Sequence, residues 1–112
     1  MIYSAPPSEV CLETWLTCEN VLADISNTNF VERQKMRTVF SECADICLGM
    51  IQAIKNQSEN TEKIALLCVG ICEECAEICD KYLFHPLYSK CAIVCRKCAN
   101  ALSYLAMASL AS

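Results

Sequence analysis

Eleven cysteines stand against a single histidine in these 112 residues, and they carry most of the chemistry the sequence can offer. Cys68, Cys72, Cys75 and Cys79 follow one another at intervals of four, three and four residues. Positions i, i+3, i+4 and i+7 share one face of an α-helix, so this rhythm is a helical seam of thiols. Cys91, Cys95 and Cys98 repeat it on a second segment. A shorter unit, Cys-Ala-x-x-Cys, occurs three times, at Cys43–Cys47, Cys75–Cys79 and Cys91–Cys95. Thiolates select Cu(I), zinc and iron–sulfur clusters. Two metal–sulfur bonds of ~2.3 Å span about 4.5 Å. The β-carbons of an i, i+4 pair stand about 5–6 Å apart, so each unit can grip a two-coordinate ion. A ladder of such pairs, with bridging sulfurs, suits many Cu(I) ions better than one closed site.

Other uses of these thiols fit less well. Cys72-x-x-Cys75 and Cys95-x-x-Cys98 match a two-pair zinc spacing. Zinc knuckles, however, bend the chain at glycine, and neither pair contains or precedes one. An iron–sulfur cluster needs about four cysteines in a defined loop, and this chain has an excess on helices. Cysteine as a small hydrophobic filler explains any single position, Cys11 for example, but not eleven converging from four helices. Catalysis finds no Ser/His/Asp constellation, and one histidine makes no acid–base pair, so no enzymatic activity is expected.

Four helices must position the ladder. A tail over 1–7 ends at Pro6-Pro7. Helix 1 is expected from about Pro7 to Ser26, with Cys11, Trp15, Cys18, Leu22 and Ile25 inward. Asn27-Thr28-Asn29 forms a turn, and helix 2 follows from about Thr28 to Asn56. Its inward face holds Met36, Phe40, Cys43, Cys47, Met50 and Ile54, and Gly49 is expected to allow close packing. Helix 3 spans about Thr61 to Phe84, carrying Ile64 or Ala65, Cys68, Cys72, Cys75, Cys79 and Leu83 inward. His85-Pro86 breaks it and opens helix 4, which runs to about Ala108 with Tyr88, Cys91, Cys95, Cys98, Leu102 and Leu105 inward. Short connections between four such helices predict one all-α domain over residues 1–112, an antiparallel four-helix bundle with a cysteine-lined core.

Counting outward from His85, and from the turn near Ser58, sets the register. Cys79 and Cys91 form the first layer with Cys18 nearby, then Cys75 with Cys95, then Cys72 with Cys98 and Cys43, and last Cys47 and Cys68, with Cys11 deep on helix 1. The ladder from Cys68 to Cys79 covers about 16 Å. Ile54, Ile64, Leu102 and Leu105 are expected to plug the far end, and Trp15 and Phe40 to close the core. On the surface, Glu77 and Lys81 are spaced for an i, i+4 pair, and Arg96 and Lys97 are placed to meet Glu73 and Glu74.

Composition narrows the class. A net charge of −4 with no basic cluster beyond Arg96-Lys97 excludes an electrostatic nucleic-acid binder. Charged residues interrupt every helical stretch, so no membrane span is expected. The start, MIYSAPPSEV, has no basic n-region and no apolar h-region, which predicts a cytoplasmic protein with reduced thiols rather than a disulfide framework. A thiol redox sensor or electron carrier would need exposed, low-pKa cysteines, contrary to the inward phases. A structural helical module with cysteine filler is the other alternative.

The CxxxCxxCAxxC and CAxxCxxCA runs resemble the cysteine-rich four-helix-bundle copper storage proteins, most strongly from Cys68 to Ala99. The resemblance implies storage or buffering of several Cu(I) ions by all eleven core cysteines, with His85 and Met36 as candidate ligands at an open end. It also implies a homo-oligomer, a tetramer in some members. Two positions depart from the family pattern. Lys90 stands where related chains often have His, and Leu102 stands where a further cysteine could extend the ladder. Both imply a lower capacity and an altered route for the metal.

Overall fold

A computed structural model describes residues 5–111. The expectations for residues 1–4 of the tail lie outside the described residues. Four helices account for nearly all of the chain: α1 (Pro7–Ile25), α2 (Arg33–Lys55), α3 (Thr61–Cys79) and α4 (Pro86–Ala111). No strand occurs among the described residues. The helix backbones approach one another around a ring, α1 to α2, α2 to α3, α3 to α4 and α4 back to α1, while the diagonal pairs α1 with α3 and α2 with α4 make no close backbone approach. Short connections place successive helices antiparallel, so the expected up-down bundle is the observed fold.

Helix boundaries follow local chemistry. Pro7 at the first helical position supplies a preset φ and no surplus donor, and Pro6 before it is extended at φ −58°, ψ 145°. The α2–α3 connection is a Schellman motif: the Ser58 N–H donates to the Ala53 carbonyl at 3.0 Å and the Gln57 N–H to that of Ile54 at 3.2 Å. Gln57 sits at the left-handed position, with φ 51°. α2 starts at Arg33, five residues beyond the expected Thr28. Thr28 instead donates its hydroxyl to the Ile25 carbonyl at 2.8 Å, and the residues after it carry Phe30 over the bundle end. Phe30 stacks on Tyr82 with ring centroids 4.0 Å apart.

α3 ends at Cys79 and tightens into a 3₁₀ turn over Asp80–Tyr82 rather than running to Phe84. Leu83, expected to face inward, is therefore exposed. This turn aims Tyr82 at Phe30 and Tyr88. On α1, Thr14 and Val21 take the innermost positions, and Trp15 and Leu22 are only half-buried at the flank. The Thr14 hydroxyl is satisfied by donating to the Val10 carbonyl at 2.8 Å, one turn back.

The surface pairs differ from expectation because the 3₁₀ turn redirects them. Lys81 reaches Glu32 at 2.9 Å rather than Glu77, and Arg96 pairs with Asp80 rather than Glu73. Lys97 approaches Glu13 at 3.7 Å. These bridges tie the 3₁₀ turn to the residue before α2 and to α4, and α4 to α1, at largely exposed sites where ion pairs add little stability.

Gly49 is not a close-packing site: a β-carbon placed there meets nothing within 4 Å. Glycine inside a helix costs roughly 0.5–1 kcal/mol relative to alanine through lost backbone entropy. Gly49→Ala should raise stability by about that amount, measured by urea unfolding of the reduced protein, with helicity unchanged. A destabilisation would show that the glycine serves a packing role absent from this fold.

Candidate metal centre

All eleven cysteines are unpaired thiols with no solvent exposure. They come from every helix: Cys11 and Cys18 on α1, Cys43 and Cys47 on α2, four on α3 and three on α4. Across helices, sulfur meets sulfur at 3.8 Å for Cys43–Cys72, 3.9 Å for Cys47–Cys68 and 3.9 Å for Cys11–Cys98. Along single helices, Cys68–Cys72 lies at 4.0 Å and Cys91–Cys95 at 3.8 Å, one turn apart. Cys75 turns its thiol toward the Val39 carbonyl, 3.8 Å away.

Two groups stand out. The sulfurs of Cys47, Cys68, Cys72 and Cys98 all lie within 4.8 Å of one another, as do those of Cys18, Cys43 and Cys95. The expected layers are thus partly merged. Cys98 joins Cys72 to the Cys47–Cys68 layer, and Cys18 sits beside Cys43 and Cys95, deeper than the Cys79–Cys91 layer. Residue counting fixes neither the relative height nor the rotation of whole helices. Cys11 touches the four-thiol group through Cys98, at the end where it was expected.

Close thiols polarise one another. Cys43 is held well below the ordinary thiol range because Cys18, Cys47, Cys72 and Cys75 donate toward its sulfur. Cys98 is lowered likewise by Cys11, Cys47, Cys68 and Cys72. Cys75 is pushed up by its contacts with Cys18, Cys43 and Cys95 and by burial, and Cys91 by contacts with Cys18, Cys79 and Cys95 and by burial. A soft cation entering such a group takes the place of thiol protons, because the thiolate is its ligand.

The ends of the column differ. Next to the four-thiol group, Met50, Ala65 and Leu102 are fully buried, and Ile54, Ile64 and Leu105 pack against the core, as expected of a plug. The other end carries His85 and Met36. Met36 is fully buried, while the His85 side chain is 35% exposed. Its Nδ1 accepts from the Leu87 N–H at 3.4 Å and its Nε2 stands 3.7 Å from Asp24. Tyr88, fully buried, packs edge-on to the His85 ring and donates its hydroxyl to Asp24 at 3.1 Å. Phe30 and Tyr82 complete an aromatic cap. Neither thiol group includes His85. The cap was missed because Phe30, Tyr82 and Tyr88 are distant in sequence, and only the turns at each helix end unite them.

No helix among the described residues is long and apolar enough to cross a membrane. The sequence matches the family described as copper storage protein over residues 5–107. The uncharacterized cysteine-rich protein YhjQ of Bacillus subtilis (strain 168) is 30% identical over 106 residues, covering 83% of this chain and 90% of its own length. No solved structure matches. A family match spanning almost the whole chain, over a helical core lined with thiols, places this chain in the copper storage protein family.

Proposed function

We propose that this protein stores or buffers copper in the cytoplasm as Cu(I), holding several ions per chain between core thiolates. The observation that carries this reading is the column of eleven fully buried thiols in mutual contact from four helices. Cu(I) accepts two or three soft ligands and tolerates bridging sulfur. The i, i+4 pairs and the three-thiol group present such sets repeatedly along one core. A buried thiol that stays protonated is tolerated as a small hydrophobe, and a buried thiolate needs a cation beside it. The core is therefore stable empty and receptive when ions arrive. A cytoplasmic setting, which keeps thiols reduced, maintains it in that state.

The same burial opposes redox sensing, because no sulfur is exposed to an oxidant or a partner thiol. The role is storage rather than catalysis, since a closed core offers no room for a reacting molecule. His85 is the polar, part-exposed group at the aromatic end, and Met36 is the buried thioether beneath it. We assign the two to the route of the metal, between solvent and the Cys79–Cys91 layer, and ion transfer proceeds from there through neighbouring thiolates.

Anaerobic titration of the reduced protein with Cu(I), against a competing chelator, should show several equivalents bound per chain. Saturation at one equivalent would sink the storage reading. Replacing Cys75 and Cys95 together by Ser should lower that capacity while the helical circular dichroism persists. His85→Ala should slow loading and removal, followed by stopped-flow transfer to a chelator, with capacity barely changed; unaltered rates would reassign the route. Thiolate is the ligand and thiol its protonated rival, so loading releases protons and acid releases copper. Chelator competition across a pH series should show affinity falling as pH falls, most steeply for ions on thiols with raised pKa such as Cys75 and Cys91.

A further inference from the structure

We propose that Cys47, Cys68, Cys72 and Cys98 form a tetrahedral site for one divalent zinc-class ion, distinct in geometry and charge from the Cu(I) sites. Zinc–sulfur bonds of ~2.3 Å directed to the corners of a tetrahedron place the sulfurs about 3.8 Å apart. In this group Cys47–Cys68 is 3.9 Å, Cys68–Cys72 is 4.0 Å, and all four sulfurs fall within 4.8 Å of one another. Contraction of the longer separations by at most about an ångström closes the shell. Structural zinc sites are four-coordinate and closed, and a set of four thiolates is among their standard forms. The three-thiol group of Cys18, Cys43 and Cys95 would leave zinc a vacant fourth position in a core that excludes water. That set suits Cu(I), and the four-thiol set suits zinc.

The surroundings favour a structural ion. The four ligands come from three helices: Cys47 from α2, Cys68 and Cys72 from α3, and Cys98 from α4. One bound ion would join them at the end of the bundle remote from His85. Met50 lies three residues beyond Cys47, Ala65 three before Cys68, and Leu102 four beyond Cys98, and all three are fully buried. These residues close the site to water and leave the geometry to the sulfurs. The pairs Cys72-x-x-Cys75 and Cys95-x-x-Cys98, which match a zinc spacing in the sequence, are not the pairs brought together. The site is assembled only by the bundle.

Cu(I) binds thiolates more tightly than zinc does, so copper displaces the ion as the column fills. Zinc would thus hold this end in the copper-poor protein and leave in the copper-rich one. The claim stands apart from the copper reading because it concerns a different ion at one defined set of thiols.

The test uses Co2+, whose visible spectrum reports coordination, on the reduced, metal-free, full-length chain under anaerobic conditions. One equivalent should bind with the intense absorption of tetrahedral cobalt tetrathiolate, and one equivalent of Zn2+ should bleach it. Cys98→Ser and Cys68→Ser should each abolish that spectrum, whereas Cys95→Ser and Cys18→Ser should leave it. Circular dichroism of every variant checks that helicity is kept. A wild-type spectrum without the tetrathiolate bands overturns the site regardless of how any variant folds. Loss of the bands in Cys95→Ser with retention in folded Cys98→Ser overturns the assignment of ligands. Cu(I) capacity, measured on the same preparation, separates the two readings: several Cu(I) bound with no cobalt tetrathiolate removes only the zinc site, and the converse removes only copper storage.

Discussion

The contact of sulfur with sulfur across the helix interfaces is the constraint on which the rest of this structure depends. Eleven thiols with no solvent exposure leave the core only two acceptable states, protonated or metal-bound. A thiol can be buried almost as cheaply as a methyl group, so the empty bundle needs no further polar partners. A thiolate in the same place is intolerable without a cation or several donors. Sulfurs 3.8–3.9 Å apart on different helices let one thiolate draw on its neighbours' S–H groups. The spacing that makes the apo core stable is also the spacing that lets a soft ion bridge two helices.

This constraint explains the choice of residues around the thiols. Ala44, Ala65, Ala76, Ala92 and Ala99 are buried beside them and let the backbones approach. On α1 the small Thr14 lies inside and Trp15 is only half-buried. The ends are closed by different means. Met50, Leu102 and their neighbours make an aliphatic plug beside the four-thiol group. Phe30, Tyr82 and Tyr88 make an aromatic cap at the other end, anchored by the Tyr88–Asp24 hydrogen bond. Excluding water from both ends strengthens every electrostatic contact within, and so strengthens the hold of thiolate on metal. His85 is where this seal carries an exposed, basic edge.

Family membership and geometry bear on different parts of the problem. Membership ties the chain to copper storage as a class of function. The geometry gathers seven of the eleven thiols into a group of four and a group of three, a distinction with chemical consequences because coordination number separates zinc from Cu(I). The polar surface adds little to either matter. Its ion pairs join helices at exposed positions, where solvent weakens them.

The sequence by itself determined the fold class, the inward face of the thiol ladder and the neighbours along each helix. It could do so because the 4-3-4 spacing of Cys68 to Cys79 and of Cys91 to Cys98 is a property of one helix, set by 3.6 residues per turn. Counting from the turn near Ser58 also paired Cys47 with Cys68, since both lie close to it. Other features had no local signal. The late start of α2, the 3₁₀ turn after Cys79 and the partners of Lys81 and Arg96 depend on where Phe30, Tyr82 and Tyr88 find one another. The exchange of Trp15 for Thr14 in the core depends on which face of α1 turns inward. Which thiols share a site was decided only by the tertiary structure. A site's membership depends on the relative height and rotation of whole helices, and a shift of one residue's rise, about 1.5 Å, is enough to move a sulfur from one group to the next.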